Sequence, residues 1–311
     1  MSELSRMARP LLERPVVAAP SVAELRRRGQ RRRRRHLIGG GATSVVVLAV
    51  VALVVGLVPA APRTPTGSAP SSLTAYVRAG VSVPDATLDT VGLPPTVTPP
   101  ASVTGGAALT DDGRPAVVFV GAGYCPYCAL ERWALLVALS RFGTFSNLGR
   151  TVTSSSTDVY PGLQSWSFAG SDFASSSLTF DPAEIYSSTP NASHDGYEPE
   201  QSLSSLQRQA FDVDPGGAMP FVDIGGRFVA TGASSSPAVL EGLSLDQVAD
   251  QLADPSSAVA QAVDGSADYL VAAICSVTGA VPAAVCGTPW VTAAQATMAS
   301  HPYTAAAASG R

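Results

Sequence analysis

The pattern of apolar and polar residues divides the chain into a long uncharged run near the N-terminus and an α/β pattern further on. Leu37–Val58 has no charged residue over 22 positions, which is enough for a helix to cross a bilayer at about 1.5 Å rise per residue. Ala116–Val120 (AVVFV) is a continuous apolar run and predicts a strand buried on both faces. Apolar residues at helical spacing predict a helix over Pro126–Arg141, directly after that strand.

Later segments predict further strands and helices. The candidates are strands over Arg150–Ser156, Ser177–Tyr186 and the residues after Pro220, and helices over Leu203–Phe211, Ser244–Leu252 and Tyr269–Ile274. Gly225-Gly226 predicts a tight hairpin turn before the strand Arg227–Ala230, because glycine readily adopts positive φ. Ser244 and Gln247 have the spacing of a capping box, which predicts the start of a helix.

Charge is distributed unevenly along the chain. All 20 basic residues are Arg, and residues 1–36 hold 11 of them beside three Glu, which gives that segment a charge of +8. The remaining nine Arg and 21 acidic residues give −12, in agreement with the net charge of −4. An acidic C-terminal part does not favour nucleic-acid binding. With 46% hydrophobic and 14% charged residues, the composition also excludes a largely disordered chain.

The charges beside the uncharged run predict the orientation of a single-pass membrane protein. Arg31–Arg35 precede the run, so the N-terminus should remain cytoplasmic and the C-terminal domain should be extracytoplasmic. The same arginines would attract anionic lipid headgroups. A cleaved signal peptide ending near Val58-Pro59-Ala60, or a twin-arginine signal at Arg34-Arg35, is the alternative. The run exceeds the apolar core of about 7–15 residues found in signal peptides, which favours an uncleaved anchor.

Composition then divides the chain into five regions. They are an Arg-rich cytoplasmic head (residues 1–36), a transmembrane helix (37–58), a Pro/Ser/Ala-rich linker (59–79), an extracytoplasmic domain (80–300) and a disordered tail (301–311). Within this scheme, residues 73–105 carry scattered apolar anchors and are interpreted as an arm that packs on the following domain.

The sequence Cys125-Pro126-Tyr127-Cys128 lies where the predicted strand gives way to the predicted helix. Pro126 suits the first helical position, because its missing N–H would have no partner there. Cys125 then becomes the N-cap residue, and its thiolate can accept the free N–H groups of Tyr127 and Cys128. These donors and the helix dipole should lower the pKa of Cys125 below the free value of about 8.5. Cys128, one turn on, is the candidate resolving thiol.

A strand, a glycine turn and CPYC at a helix start resemble the thioredoxin superfamily, and CPYC resembles the glutaredoxin motif. Met219-Pro220 before an apolar strand resembles the proline of that superfamily, which is cis and lies opposite the CxxC motif. The resemblance implies an α/β, thioredoxin-like fold, with a central mixed sheet flanked by helices behind the transmembrane helix. It also implies that Met219 and Pro220 bind substrate backbone. Tyr124 and Tyr127 are interpreted as a rim around the sulfur, with ordinary packing as the alternative.

The chain departs from thioredoxin in two ways. Pro220 follows Cys128 by 92 residues, about twice the separation in thioredoxin, so the domain carries an enlarged insertion. Such an insertion resembles the secreted disulfide oxidoreductases, in which it covers the site and shapes substrate choice. Phe119 occupies the position at which thioredoxin buries an acid, and no basic residues match those with which glutaredoxins hold glutathione.

More narrowly, the chain resembles the uncharacterised bacterial and archaeal family called domain of unknown function 929. The segments that carry this resemblance are VPDATLDTVG (Val83–Gly92), VGAGYCPYCALERWALLVALSRFGTFSNLG (Val120–Gly149), TSSSTDVYP (Thr153–Pro161) and MPFVDIGGRFV (Met219–Val229). The resemblance covers roughly residues 80–290 and brings no established substrate. Function must therefore be argued from the site.

Glu131, one turn after Cys128, is the candidate acceptor for the proton of the resolving thiol. The alternative is an exposed glutamate on the helix surface that pairs with a nearby arginine.

Cys275 and Cys286 are interpreted as a structural disulfide, because cysteines outside the cytoplasm are usually paired. A relay disulfide that exchanges with Cys125 and a zinc site built from all four cysteines are the alternatives. The spacing of the second pair is wider than zinc sites use, and no histidine lies near the CxxC motif to favour copper. We expect neither a metal nor a cofactor.

Two functions fit these observations. The first is a membrane-anchored thiol–disulfide oxidoreductase that acts through Cys125 and Cys128 on thiols and disulfides of exported proteins, with a membrane redox partner. The second is a non-catalytic domain for binding or assembly, in which the CPYC motif forms a fixed disulfide.

Overall fold

The structure is a computed structural model and describes residues 73–148, 150–214 and 216–303. The predicted head and the predicted span over 37–58 lie outside these residues. Among the helices that the structure describes, none has both the length and the apolar character required to cross a membrane.

The described chain is a mixed α/β domain. Its helices are α1 (Leu73–Val81), α2 (Asp85–Val91), α3 (Pro126–Leu139), α4 (Ser205–Phe211), α5 (Leu245–Leu252), α6 (Ala258–Val277), α7 (Ala283–Cys286) and α8 (Pro289–Ala299). Its strands are β1 (Ala101–Ser102), β2 (Thr110–Asp111), β3 (Arg114–Ala122), β4 (Thr144–Ser146), β5 (Arg150–Thr153), β6 (Gln164–Ser167), β7 (Asp172–Ala174), β8 (Thr179–Pro190), β9 (Tyr197–Pro199), β10 (Phe221–Ile224) and β11 (Phe228–Thr231).

A seven-stranded mixed sheet lies at the centre of the described domain. Its strand order is β1-β11-β10-β3-β8-β9, and β2 also pairs with β3. The central strand β3 runs parallel to β8 and antiparallel to β10. Two separate two-stranded ribbons, β4-β7 and β5-β6, come from the insertion between α3 and β8. The predicted mixed sheet flanked by helices is therefore confirmed.

Strand β3 is buried on both faces, as its continuous apolar run predicts. Val117 and Phe119 pack with the helices α3 and α6 on one face of the sheet. Val118 and Val120 point to the opposite face and pack with α4. Side chains alternate between the faces of a strand, so this run fills both layers of the core and fixes β3 at the centre.

The arm before the sheet packs on the domain. Tyr76 on α1 is 3% exposed, and its ring lies 5.8 Å from that of Trp166 and 6.3 Å from that of Trp133. Residues 73–79, which composition assigns to the linker, are thus part of a packed helix. At the other end, Tyr303 donates its N–H to Ser102 O at 2.8 Å, so residues 301–303 contact β1 rather than forming part of a disordered tail.

Local sequence motifs predicted several boundaries of helices and turns correctly. Ser244 and Gln247 form the predicted capping box, and α5 follows directly. Gly225 and Gly226 have φ of 64° and 67° and form the turn between β10 and β11. The helix predicted over Tyr269–Ile274 is longer: α6 has 20 residues, because the apolar and small residues before Tyr269 continue the buried face.

Candidate functional site

The chain turns sharply between β3 and α3, and this turn positions the CPYC motif. Gly123 donates its N–H to Tyr186 O on β8 at 2.8 Å. A Cβ atom at Gly123 would lie 2.9 Å from Ser188 N, which is closer than side-chain carbon atoms pack. Glycine therefore lets the turn approach the neighbouring strand and carries Cys125 over the end of the sheet.

Cys125 is the N-cap residue of α3, as predicted. Its backbone is extended, with φ −80° and ψ 120°, and Pro126 is the first helical residue. Cys125 Sγ accepts the N–H of Cys128 at 3.2 Å. The sulfur thus takes the place of the oxygen that usually caps a helix N-terminus.

The structure brings Cys125, Cys128 and Met219 together. Both thiols are free; Cys125 is 6% exposed and Cys128 is fully buried. Cys125 Sγ lies 3.9 Å from Met219 O, at the end of the antiparallel neighbour strand β10. The Met219–Pro220 peptide bond is cis, as the resemblance implies. Cys125 therefore keeps a small exposed surface beside the Met219 carbonyl, whereas Cys128 has none.

The two thiols are electrostatically distinct. The hydrogen bond from the Cys128 thiol lowers the pKa of Cys125, and the Cys128 N–H and the Arg132 charge lower it further against the effect of burial. Burial raises the pKa of Cys128 well above its ordinary value, and the neighbouring Cys125 adds to that rise. Cys125 is therefore the first thiol to ionise, and Cys128 stays protonated beside it.

A buried ion pair that sequence reasoning missed lies behind the thiols. Arg132 Nε and Nη2 donate to the two oxygens of Glu184 on β8 at 2.8 and 2.7 Å. Neither side chain has any exposed surface. Arg132 Nη2 also donates to Ala122 O at 2.8 Å, and Glu184 accepts the Phe168 N–H at 3.1 Å. The guanidinium is thus tied to the last residue of β3, two residues before Tyr124.

Arg132 lies four residues after Cys128 and seven after Cys125, so the three residues share one face of α3. Its charge favours the thiolate of both cysteines. The signal in the sequence was the pair Glu131-Arg132, the two charged residues of an otherwise uncharged helix. Sequence reasoning considers an arginine here only as a partner for Glu131.

Glu131 is buried, and its interpretation as an exposed helix residue is wrong. Its Oε2 accepts the Ser234 hydroxyl at 2.7 Å and the Ser234 N–H at 3.2 Å. Burial raises the pKa of Glu131 in spite of these bonds. The structure thus gives Glu131 a partner on the loop after β11, and its role as proton acceptor for Cys128 stays a prediction.

Tyrosines surround the opening to Cys125. The ring of Tyr124 stacks on Tyr197 at 4.1 Å, and the ring of Tyr127 contacts Tyr160 at 5.7 Å. Tyr127 and Tyr186 are each 38% exposed. Burial, followed by the charges of Cys125 and Cys128, raises the pKa of Tyr124. We call these five side chains the tyrosine rim. Tyr160 comes from the insertion, Tyr186 and Tyr197 come from β8 and β9, and none of the three could be assigned to the site from sequence.

Two further carboxyl groups are buried away from the thiols. Asp264 and Asp268 lie one turn apart on α6 with no exposed surface. None of their four oxygens has a hydrogen-bond partner among the described residues. Sequence reasoning did not single them out.

Cys275 and Cys286 form the disulfide predicted from the sequence, with a Cα–Cα distance of 5.5 Å. This pairing leaves only two free thiols, so a zinc site of four cysteine thiolates does not fit the structure. Among the described residues, no group of three or more His, Cys, Asp or Glu side chains is placed to hold a metal ion.

Replacing both Cys275 and Cys286 with Ala should lower the free energy of unfolding by about 3 kcal/mol, because the bond closes an 11-residue loop in the unfolded chain. Denaturant titration under non-reducing conditions would measure this change. Wild-type protein under strong reduction should show a similar loss. A loss in neither experiment would contradict a structural role.

Comparison with known proteins gives a family for the central part of the chain. Residues 103–211 match the family described as "Domain of unknown function (DUF929)". The match includes β3, the CPYC motif, α3 and the insertion up to α4, so the resemblance to DUF929 is confirmed over that segment. Among curated proteins and solved structures, none matches the chain. The DUF929 match brings no activity, and the function must be inferred from the geometry above.

Proposed function

We propose that this protein is a membrane-anchored thiol–disulfide oxidoreductase with a thioredoxin-like domain that acts outside the cytoplasm on exported proteins. The observation that carries the proposal is the pair of unequal thiols. Cys125 is an N-cap sulfur with a lowered pKa and a small exposed surface, and Cys128 is a fully buried thiol with a raised pKa one turn behind it. Nucleophilic attack followed by resolution requires this asymmetry.

The topology supports a thioredoxin-like domain. The CPYC motif follows the central strand β3, which has a parallel neighbour in β8 and an antiparallel neighbour in β10. Strand β10 begins directly after the cis Met219–Pro220 bond, beside Cys125. This arrangement accords with the resemblance that the sequence suggests.

The reaction we propose begins when the Cys125 thiolate attacks one sulfur of a substrate disulfide. The substrate S–S bond breaks, a mixed disulfide forms with Cys125, and the departing substrate thiolate takes a proton from water. Cys128 then gives its proton to water and attacks Cys125 Sγ. The bond between Cys125 and the substrate sulfur breaks, and the second substrate thiolate leaves and takes a proton from water. Two electrons pass to the substrate, and Cys125–Cys128 becomes a disulfide. The same steps run in reverse when the oxidised domain meets a substrate dithiol.

The location outside the cytoplasm is part of the proposal. The disulfide between Cys275 and Cys286 supports it, because such bonds persist mainly in oxidising compartments. The arginine-rich head and the uncharged run before the domain provide an orientation and an anchor. A membrane redox partner would restore the starting state of the CPYC pair.

Replacing Cys128 with Ser should trap mixed disulfides between Cys125 and exported proteins, because Cys125 still attacks and nothing resolves the adduct. Replacing Cys125 with Ser should trap none, since Cys128 has no exposed surface. Non-reducing electrophoresis of the two variants, expressed at equal levels, would measure the difference. Thiol titration should give a Cys125 pKa below the free value of about 8.5.

A Cys125 pKa near the free value of about 8.5, together with an absence of adducts from the Cys128→Ser variant, would overturn the proposal. The better account would then be a binding or assembly domain with a fixed CPYC disulfide.

A further inference from the structure

A cavity of about 640 Å³ opens next to the CPYC motif. Residues 153–157 form one wall, and Ser188, Pro190 and residues 194–197 form the other. We propose that this cavity binds the polypeptide segment flanking the substrate cysteine and that it selects uncharged or basic segments over acidic ones and over glutathione. This inference rests on the proposed function and names the substrate class of that site.

The cavity is linked to the reactive thiol through Tyr124, the residue before Cys125. Tyr124 accepts the Ser155 N–H through its carbonyl oxygen at 2.8 Å. Its ring stacks on Tyr197, which lies in the other wall, at 4.1 Å between centroids. Tyr124 therefore contacts a lining residue of each wall. This proximity places the cavity beside the segment that flanks a substrate cysteine bonded to Cys125.

The cavity is large enough to take a short peptide segment. Its volume lies within the range of about 300–1,000 Å³ that is typical of ligand sites. One wall continues from β5 of the β5-β6 ribbon, which belongs to the insertion, and the other comes from the β8-β9 hairpin of the main sheet. The insertion thus adds a binding surface that the thiols alone would not need for reaction with a small molecule.

The side chains that line the cavity suit a polypeptide. One wall is the hydroxyl-rich run Thr153-Ser154-Ser155-Ser156-Thr157, and Ser188 faces it. Tyrosine and serine together are typical of antibody combining loops, where tyrosine supplies broad, rigid contact area and hydroxyls supply adaptable hydrogen bonds. Peptide N–H and C=O groups can use such hydroxyls as both acceptors and donors.

The charge of the cavity disfavours anionic ligands. Asp195 lines it and accepts a hydrogen bond from the Asn191 side chain at 2.8 Å, which lowers the pKa of Asp195 and favours its charged form. The neighbouring His194 also lines the cavity, but among the described lining residues there is no arginine, and the chain has no lysine. Arg132 is buried and bonded to Glu184, so it cannot neutralise an acidic ligand. Glutathione, with two carboxylates, and acidic peptides would meet repulsion from Asp195 with no arginine or lysine in the cavity to offset it.

The test measures how fast the purified, reduced full-length chain reduces five disulfides. Three are peptides whose single cysteine is in a mixed disulfide with a small neutral thiol and is flanked by neutral, arginine-containing or glutamate-containing residues. The other two are glutathione disulfide and hydroxyethyl disulfide, and the latter reports the reactivity of the thiols alone. The neutral and basic peptides should react at least tenfold faster than hydroxyethyl disulfide, and glutathione disulfide should show no such gain. At low ionic strength the basic peptide should exceed the acidic one by about fivefold, and 0.5 M salt should reduce this ratio.

Two variants assign these preferences to the cavity. Tyr197→Ala should lower the ratio of the peptide rates to the hydroxyethyl disulfide rate, because it removes one wall. Asp195→Asn should abolish the discrimination between the basic and acidic peptides. Asp254→Asn is the matched control. Asp254 is also exposed, and a hydrogen bond, here from Ser256, also lowers its pKa, but it lies after α5. The control should keep the full discrimination.

The outcomes separate the inference from the proposed function. The cavity's role would be overturned if hydroxyethyl disulfide is reduced rapidly, all peptides react at equal rates, and Asp195→Asn leaves those rates unchanged. The proposed oxidoreductase function would then still stand. Failure to reduce any of the compounds would overturn the proposed function, and the inference would fall with it.

Discussion

Replacing Arg132 with Met is expected to lower the free energy of unfolding by about 3–5 kcal/mol, because it leaves a buried carboxylate without its ionic partner. Glu184 has no exposed surface, and both of its oxygens lie within 2.8 Å of Arg132 nitrogens. Methionine fills a similar length along the helix, so the loss reflects mainly the unpaired charge. Denaturant titration of the full-length chain measures the change.

An exposed ion pair provides the control. Arg114 and Asp112 lie 3.1 Å apart, but their side chains are 33% and 81% exposed. Replacing Arg114 with Met should therefore cost less than about 1 kcal/mol. The double variant Arg132→Met/Glu184→Leu should be more stable than Arg132→Met alone, since it removes the orphaned carboxylate. Equal losses for Arg114→Met and Arg132→Met would contradict the importance of burial.

The same substitution has a second effect that packing alone would not produce. The Arg132 charge lowers the pKa of Cys125, so Arg132→Met should raise that pKa and slow thiolate reactions below the shifted value. Thiol alkylation rates measured across pH report this shift. An Arg132→Lys variant, which keeps the positive charge, should restore part of the lowering of the Cys125 pKa. If Cys125 titrates identically in all three proteins, Arg132 supports the fold and does not tune the thiol.

The second large effect concerns the acids on α6. Asp268→Asn is expected to raise the free energy of unfolding at pH 8 by on the order of 2–4 kcal/mol. Burial raises the pKa of Asp264 to about 8 and that of Asp268 to about 9, and the charge of Asp264 adds to the rise at Asp268. Arg141 opposes both shifts, and Asp89 adds to the rise at Asp268. An amide at position 268 avoids a charge that the interior disfavours.

The direction of the pH dependence follows from these raised pKa values. Well below pH 4, both Asp side chains are protonated in the folded and the unfolded state. They then carry no charge in the interior and do not lower the free energy of unfolding. As the pH rises above the unfolded value, the unfolded chain releases protons that the folded chain retains until about pH 8–9, so stability falls through this window. Above that range the contribution is constant.

Thermal or denaturant unfolding between pH 4 and pH 10 would measure this profile. The variants Asp264→Asn and Asp268→Asn should each flatten the decline, and the double variant should flatten it most. Asp250→Asn, an exposed substitution on α5, should leave the slope unchanged within about 0.5 kcal/mol. A wild-type stability that rises from pH 4 to pH 8 would contradict the assignment of raised pKa values to this pair.

The sequence by itself determined the features that depend on near neighbours in the chain. The apolar run of β3, the N-cap at Cys125 and the capping box at Ser244 are governed by residues within one helical turn, and the structure has each where it was predicted. The cis Met219–Pro220 bond followed from resemblance, and the pairing of Cys275 with Cys286 followed from cysteine count and compartment. The difference in pKa between Cys125 and Cys128 is thus largely predictable from the CPYC motif at a helix start.

Only the tertiary structure decided which distant groups surround those thiols. Arg132 meets Glu184 across 52 residues, and Glu131 meets Ser234 across 103. No local periodicity specifies such partners, because they depend on how α3 packs against β8 and on the loop after β11. The short strands β4, β6, β7 and β9 escaped prediction for the same reason, since their pairing partners rather than their own composition define them. Burial of Asp264 and Asp268 likewise follows from the neighbours that cover α6, because an aspartate in a helix is ordinarily exposed.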